Sequence, residues 1–478
     1  MLNGAVLVLL VPALFAGLLL LVKPERLAAR LNCVGSALTL AAALSLIVSR
    51  PQSGPTLLVD DFNVYLVVLT AFVGFTTSLF SAGYIADEVR SGRLTPLRLR
   101  FYHAMFQAFL FTMLLALLAN NLGLLWVAVE GATLTTVLMV SLYRTPAAIE
   151  AAWKYFILCG VGIALALFGT ILMYLAAQPV LGSGAAGMTW TELLEVAAEV
   201  DPRILNLAFI FLLVGYGTKV GLAPLNAWLP DAHAEGPTPI SAVLSGLLLN
   251  VALYAVLRFK MLLAANGAAM APGVLMTVMG LGTLLLAALM LYRRRDVKRF
   301  FAYSSIEQMG IITFAFGLGG PLANFAGLLH MALHSLTKSA IFFAVGHAIH
   351  AKGSQRIADI TGLTVSHPAL GWSLLLGIVA IAGLPPFGLF MSEWMIVSGT
   401  VGASPWLALP LVLGLLLGFG ALILRAQSLC FGAPAGDSRP LQASLAPIYV
   451  HLLLVAAIGL WMPAPLVAWF HSVARLLG

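Results

Sequence analysis

Charge is what this 478-residue chain has least of: only 9% of its residues are Asp, Glu, Lys or Arg, against 61% hydrophobic. Soluble domains carry about a quarter of their residues as charge, so an ordinary soluble globule is excluded. Cysteine is nearly absent as well. Its three copies, Cys33, Cys159 and Cys430, lie far apart and mostly inside apolar stretches, which excludes a disulfide framework and offers no iron–sulfur or zinc spacing. Long polar linkers are missing too, and apolar runs of about 18–25 residues recur from end to end. What is there reads as an all-α polytopic membrane protein with a single transmembrane domain over residues 1–478. The first run, 2–22, has no basic residues before it and no small-residue cleavage site, so a retained first helix is expected and not a signal peptide.

At about 20 residues per span, about fourteen transmembrane helices are expected, at roughly 2–22, 31–49, 62–83, 101–119, 122–142, 155–176, 204–227, 240–258, 273–292, 301–318, 322–348, 368–399, 405–427 and 445–462. The net charge of +7 is then explained by topology and not by a nucleic-acid partner. Connections after odd-numbered spans hold eighteen Lys and Arg residues, whereas the other side holds five, Arg50, Arg203, Arg258, Lys260 and Arg475. The positive-inside rule makes the rich side cytoplasmic and puts both termini on the outer side of a cell's inner membrane. Asp60 and Asp61 fall in an outer loop, where a solvated role is expected. Residues 181–201, acidic at Glu192, Glu195, Glu199 and Asp201, read as another outer loop with a short amphipathic helix.

A few residues inside the spans carry the chemistry. Lys219 lies in mid-span of an apolar segment, where a charge costs at least about 3 kcal/mol. Pro224 then removes a backbone donor, which is tolerated only where freed carbonyls face protein or water. Glu130 sits within LLWVAVEGATLTTVLMV. An isolated buried carboxylate binds a proton and a nearby ammonium holds it ionised, so a Glu130–Lys219 pair of changing separation is a proton switch; a static ion pair is the alternative. Asn250 is the main polar residue of the eighth span, placed to hydrogen-bond between helices.

In HMALHSLTKSAIFFAVGHAIH, His330, His334 and Lys338 recur at i, i+4 and i+8 and form a polar stripe on one helical face. Histidine passes protons near neutral pH, and with no carboxylate or cysteine on that face a relay is favoured over a metal site. His347 and His350 are expected at the inner interface. Asp231, His233 and Glu235 either line a proton entrance or cap helix ends; one histidine in a Pro-rich turn makes no zinc site. Glu307, after Ser304 and Ser305, either extends a polar path or is held by the helix dipole. Pro385 and Pro386 interrupt the twelfth span, and Glu393 follows. Gly221-Leu222-Ala223-Pro224 and Gly383-Leu384-Pro385-Pro386 echo one another five spans apart. Two interrupted helices, 7 and 12, point to inverted repeats, helices 4–8 over 101–260 and helices 9–13 over 273–427.

Taken in order, WVAVEGATL, TKVGLAPLNAWLPDAHAEGPTPISA, DVKRFFAYSSIEQMG, HMALHSLTKSAIFF and LPPFGLFMSEW resemble the antiporter-like proton-translocating membrane subunits shared by respiratory complex I, membrane-bound hydrogenases and multi-subunit sodium/proton antiporters. The match runs over residues 62–397, and YGTKVGLAPLNAWLPDAH and SGLLLNVALYAVLRFK are most similar to the component F type of hydrogenase-4 and formate hydrogenlyase complexes. The resemblance implies fourteen helices with two inverted five-helix units, no cofactor or metal, and a non-catalytic, ion-moving role within an oxidoreductase-type complex. It implies Glu130 as the fifth-helix carboxylate, Lys219 as its partner, His330, His334 and Lys338 as the central axis, and Glu393 as the group exchanging protons with the outer side. Relatives often have lysine or histidine at the position of Asn250 and histidine at that of Asn226, so the central link is expected to run through water here and the inner entrance to differ. Implied partners are other membrane subunits, a peripheral redox or zinc-protein module, the bilayer, and protons or sodium. Three other readings stay open: the membrane half of an inorganic-carbon uptake system with a soluble zinc protein, a sodium/proton antiporter module, and an inert structural subunit. Co-purifying subunits and sodium flux tell them apart.

Overall fold

Capping residues decide where the apolar runs become helices. In the computed structural model, which describes residues 3–435, 439–440 and 444–478, Asn3, Asp60, Thr95, Asn121, Thr145, Asp201 and Asp296 each accept a hydrogen bond from a backbone N–H of the helix they precede. That contact relieves one of the orphan donors of a first turn. Leu2, the start of the expected opening run, lies outside the described residues.

The helices run α1 (Gly4–Leu21), α2 (Glu25–Val48), α3 (Asp61–Arg90), α4 (Pro96–Leu118), α5 (Leu122–Val140), α6 (Pro146–Leu181), α7 (Trp190–Glu195), α8 (Pro202–Val220), α9 (Leu229–Glu235) and α10 (Thr238–Val243). They continue with α11 (Leu249–Ala264), α12 (Pro272–Leu291), α13 (Val297–Leu318), α14 (Gly320–Lys352), α15 (Leu363–Ser366), α16 (Pro368–Ile381), α17 (Gly388–Ala403), α18 (Pro405–Cys430), α19 (Ala446–Leu460) and α20 (Ala464–Leu476). Extended pairing among the described residues is confined to isolated bridges such as Leu57 with Ala119. This is an all-helical, multi-pass membrane protein.

Among the described residues, eleven helices are long and apolar enough to cross a membrane, or up to thirteen if each of two bent pairs is one span. The shortfall from fourteen has physical causes. The tenth expected span lies on α13, which is 22 residues long but carries Lys298, Arg299, Glu307 and Gln308. The twelfth is divided between α16 and α17, and α19 is followed by a bend of 83° into α20.

Burial ranks the helices. The most apolar stretches of α14 and of Thr238–Ala264, which spans α10 and α11, are wholly buried, whereas α1, α2 and α18 bury only a third or less of theirs. A helix buried all round belongs to a core, yet α14 brings His330, His334 and Lys338 into it. At 1.5 Å per residue its 33 residues reach about 50 Å, so α14 runs the full depth of the protein.

Asp60 and Asp61 are not merely solvated. Asp60 caps α3 and pairs with the buried guanidinium of Arg258 at 2.7 Å, while Asp61 pairs with Arg50 and accepts a bond from Ser472 at 2.8 Å. The charges expected in a loop thus fasten α3 to α11 and to the last helix.

Glycine sets the closest helix contacts. A Cβ added at Gly215 of α8 would stand 2.6 Å from both the Gly162 carbonyl oxygen and the Ala166 nitrogen of α6, the close approach that small residues permit between membrane helices. Gly215→Val is expected to force α6 and α8 apart at about 1–3 kcal/mol. Thermal unfolding of the purified protein checks this; a midpoint equal to wild type would show that the contact does not hold the helices together.

Candidate ion-translocation site

α8 stops at Val220 because Gly221 is left-handed (φ 84°) and the Leu222 N–H turns back to the Gly217 carbonyl at 2.9 Å, the closing pattern of a glycine-capped helix. The break leaves few backbone groups unpaired. The Thr218 carbonyl accepts from Gly221 N–H at 3.2 Å and from the Trp228 indole N–H at 2.8 Å, and Ala223 N–H donates to Thr283 Oγ1 of α12 at 2.9 Å. Such substitute partners are what membrane depth demands of an interrupted helix.

Lys219 lies in the last turn before this break, 1% exposed. Its ammonium donates to Thr133 Oγ1 of α5, and the Thr133 hydroxyl lies 2.9 Å from Glu130 Oε2, to which it donates. The carboxylate and the ammonium are therefore joined through a hydroxyl, and no direct ion pair links them among the described residues. A hydroxyl that accepts from one group and donates to the other can pass a proton between them while both stay in place. The wall behind Lys219 is aromatic: Tyr155 lies 5.9 Å from Nζ, bonds Thr136 at 2.7 Å and stacks on Trp228 at 4.4 Å.

Thr133 escaped the sequence reading, although its position three residues after Glu130 puts it on the same helical face. Thr133→Val keeps the shape and removes the bridge. It is expected to slow proton movement about tenfold, with Thr133→Ser restoring most of the rate; equal rates in all three proteins would show that the bridge is idle.

On α14, His330, His334 and Lys338 follow at one-turn spacing, all buried. His330 Nε2 is 2.6 Å from Gln308 Oε1, and its Nδ1 is 2.9 Å from Ser392 Oγ. Because the Gln308 amide nitrogen points to the Ile381 carbonyl at 3.5 Å, its oxygen faces the ring, and Nε2 carries the proton of the neutral imidazole. Neither nitrogen of His334 has a hydrogen-bond partner among the described residues. Lys338 Nζ donates to the Phe301 carbonyl of α13 at 3.1 Å and lies 5.7 Å from the Phe301 ring centre.

Asn250 meets α14 close to the stripe. A π-helical turn, Leu244–Leu248, joins α10 to α11, an irregularity that recurs at functional sites. Just beyond it, Asn250 Nδ2 donates to Ser335 Oγ at 2.8 Å and to the Met331 carbonyl at 3.2 Å. Ser335 stands between His334 and Lys338 on α14 and donates in turn to the Gly246 carbonyl beside the π-turn.

α16 ends as α8 does. Gly383 is left-handed (φ 68°), the Leu384 N–H returns to the Val379 carbonyl at 3.3 Å, and the Phe387 N–H bonds the Leu384 carbonyl at 3.2 Å, as Leu225 bonds Leu222 at 2.9 Å in the first break. The Ala223–Pro224 and Pro385–Pro386 peptide bonds are both cis. Glu393, on α17, is half-buried with its carboxylate packed on Gly383, where a Cβ would collide with it. Its neighbour Ser392 supplies the hydroxyl that meets His330. Glu307 is 2% exposed and packs on Gly418 of α18. It stands about three turns into α13, beyond the first turn in which a helix dipole acts; Asp296 occupies the cap.

Asp231 is at the surface, paired with Lys154 at 2.5 Å and Arg299 at 3.2 Å, and Glu235 lies 3.5 Å from Arg299. His233 is fully buried and stacks on Phe342 of α14 at 4.9 Å, one turn beyond Lys338, with neither nitrogen bonded among the described residues. The structure thus brings together Glu130 with Lys219, Asn250 with the α14 stripe, and His330 with the neighbour of Glu393. It separates Asp231, at the surface, from Glu307, in the interior.

The family described as NADH:quinone oxidoreductase/Mrp antiporter, TM, matches residues 119–418. The chain belongs to this family. Every residue of the row from Glu130 to Glu393 falls within the matched stretch, and the protein is an antiporter-like membrane subunit of the hydrogenase-4 F-like, complex I-like kind. It is 58% identical, over 97% of its length and 98% of the relative's, to the hydrogenase-4 component F homolog of Methylacidiphilum infernorum (isolate V4). Its fold is similar to that of a chain of the membrane-bound sulfane sulfur reductase, an archaeal respiratory membrane complex, with a TM-score of 0.88 at 23% identity, covering 99% of this chain and 97% of the other. A chain of respiratory complex I from Thermus thermophilus with bound NADH gives 0.82 at 22%, covering 99% and 100%.

Proposed function

We propose that this chain is a proton-translocating subunit of a multi-subunit, energy-converting complex of the hydrogenase or complex I kind in a cell's inner membrane. The observation that carries the reading is Lys219, a buried ammonium at a helix break, joined through Thr133 to Glu130. Protons load at Glu130 and Lys219, cross by Asn250 to His334 and Lys338, and reach Glu393 past His330 and Ser392. Water supports the steps between. His334 Nδ1 and Nε2, Asn250 Oδ1 and Glu307 Oε2 are buried with no hydrogen-bond partner among the described residues, and buried polar groups of that kind are served by ordered water. At an effective dielectric of about 20, unit charges some 4 Å apart interact by about 4 kcal/mol, enough for a charge change at one member to drive the next.

Two inverted units, 101–260 and 273–427, are supported by the matching hydrogen bonds at the two breaks. Fourteen crossings result when α13, the pair α16–α17 and α19 join the eleven. With basic residues such as Arg93, Lys154 and Arg299 on the cytoplasmic face, both termini lie outside. A redox module and further membrane subunits would act as partners. Sealed vesicles holding the intact complex test the reading: wild-type proton uptake by both Lys219→Ala and Lys338→Met would overturn it.

A further inference from the structure

A second titratable cluster lies where α3 and α14 end, outside the row. Glu88, in the last turn of α3, has a fully buried side chain. Its Oε1 accepts from His350 Nε2 at 2.5 Å and lies 3.5 Å from Arg93 Nη1. Its Oε2 meets no partner in good hydrogen-bond geometry among the described residues, although the Tyr143 hydroxyl lies within reach of the carboxylate, a loosely served state for a buried carboxylate oxygen. Glu88 lines a cavity of about 200 Å³ together with Asp87, Arg90, Arg93, His347 and Arg439. His347 is 3% exposed and its Nε2 also has no partner among the described residues.

A clamp between two helices would need one carboxylate oxygen and no cavity. Here two buried polar atoms, from Glu88 and His347, are left over at the same space. The cluster also leads inward. His350 stacks on Tyr84 at 4.2 Å, and the Tyr84 hydroxyl is 3.1 Å from Thr238 Oγ1 at the start of α10. A further cavity of about 330 Å³ shares Arg93 and Ile349 with the first and is lined by Tyr84, Tyr143, Ala234, Glu235 and Lys298. Ala234 adjoins His233, whose ring lies on Phe342, one turn from Lys338.

We propose that Glu88 with His350 is a proton-collecting site that loads Lys338 by way of these two cavities and His233; this rests on the proposed role of the chain in moving protons. A proton from bulk water adds to the Glu88–His350 pair and is released to the cavity side, with no bond to carbon formed or broken and no electron moved. The groups that set its pH dependence are Tyr84, Asp87, Arg90 and Arg93 on and after α3, Tyr143 after α5, Glu235 on α9, Lys298 on α13, His347 and His350 on α14, and Arg439.

The test is the initial rate of proton uptake, from mildly acid to mildly alkaline pH, by sealed inside-out vesicles holding the intact complex and driven by its own reaction. Glu88→Gln is expected to lower the rate about tenfold and to move the pH profile, with Glu88→Asp recovering most of both. If Glu88→Gln does not assemble, His350→Gln, whose side chain is 19% exposed, takes its place with the same outcomes. A wild-type rate and profile, with Lys219→Ala inactive in the same vesicles, overturns this site and leaves the row. Wild-type rates from both variants overturn the row as well. A lower rate with an unmoved profile and no recovery by Asp marks a structural clamp and also overturns the proposal.

Discussion

Lys219→Ala is expected to abolish coupled proton movement, lowering uptake into vesicles at least about 100-fold, while the driving reaction slows or runs uncoupled. The size of the effect follows from what the ammonium does. It is joined to Glu130 through the Thr133 hydroxyl rather than by a direct ion pair, and it sits in the last turn of α8, beside the turn closed by Gly221. Removing it leaves Glu130 and its hydroxyl but nothing for them to exchange with. Thr133→Val keeps both charges and is expected to cost much less, so the ranking of the two variants separates a charge requirement from a bridge requirement. Alanine also opens a cavity beside Tyr155, and losses of that kind cost about 2–5 kcal/mol. Lys219→Met keeps the volume. Loss of uptake in both variants, with thermal unfolding near wild type for Met, assigns the defect to the charge; uptake retained by Lys219→Met would remove Lys219 from the path.

The charged members of the row were legible because the bilayer isolates them. Glu130, Lys219, Lys338 and Glu393 each stand in an apolar run, where any charge is visible alone, and the stripe of His330, His334 and Lys338 shows in its spacing. Their partners were not legible. Thr133, Gln308, Ser335 and Ser392 are residues that cost a span little, and only tertiary contact distinguishes them: Thr133 meets a lysine 86 positions away, and Ser392 meets a histidine 62 positions away. Glu88 was hidden for the opposite reason. In DEVRSGR it looks like one more surface charge at a helix end, and its burial appears only when His350, 262 positions on, closes over it. The same holds for Asp60, whose partner Arg258 comes from α11. The count of spans was least secure where the polar residues cluster, since the features that fit α13 to carry Glu307 and Gln308 also weaken its apolar signature.

Lys338→Met is expected to stop proton movement as completely as Lys219→Ala, yet to leave the protein as stable as wild type or more so. The two effects have one origin. Lys338 is wholly buried; among the described residues its ammonium donates to the Phe301 carbonyl at 3.1 Å, lies against the face of the Phe301 ring, and has the buried Glu307 carboxylate as a counter-charge. Removing one member of a buried charge pair costs about 3–5 kcal/mol when the other stays charged. An isolated buried carboxylate takes up a proton, however, so Glu307 becomes neutral beside a methionine at position 338 and both buried charges are relieved together. A residue kept there for structure would behave in the reverse way, its loss lowering the unfolding temperature and sparing proton uptake. Asn250 sharpens the comparison. It holds α11 to α14 through Ser335 and Met331, so Asn250→Leu should lower stability, whereas Lys338→Met should not. Uptake and thermal unfolding measured together on both variants decide between the roles, and an uncompromised pump with Met at position 338 would show that charge does not pass along α14.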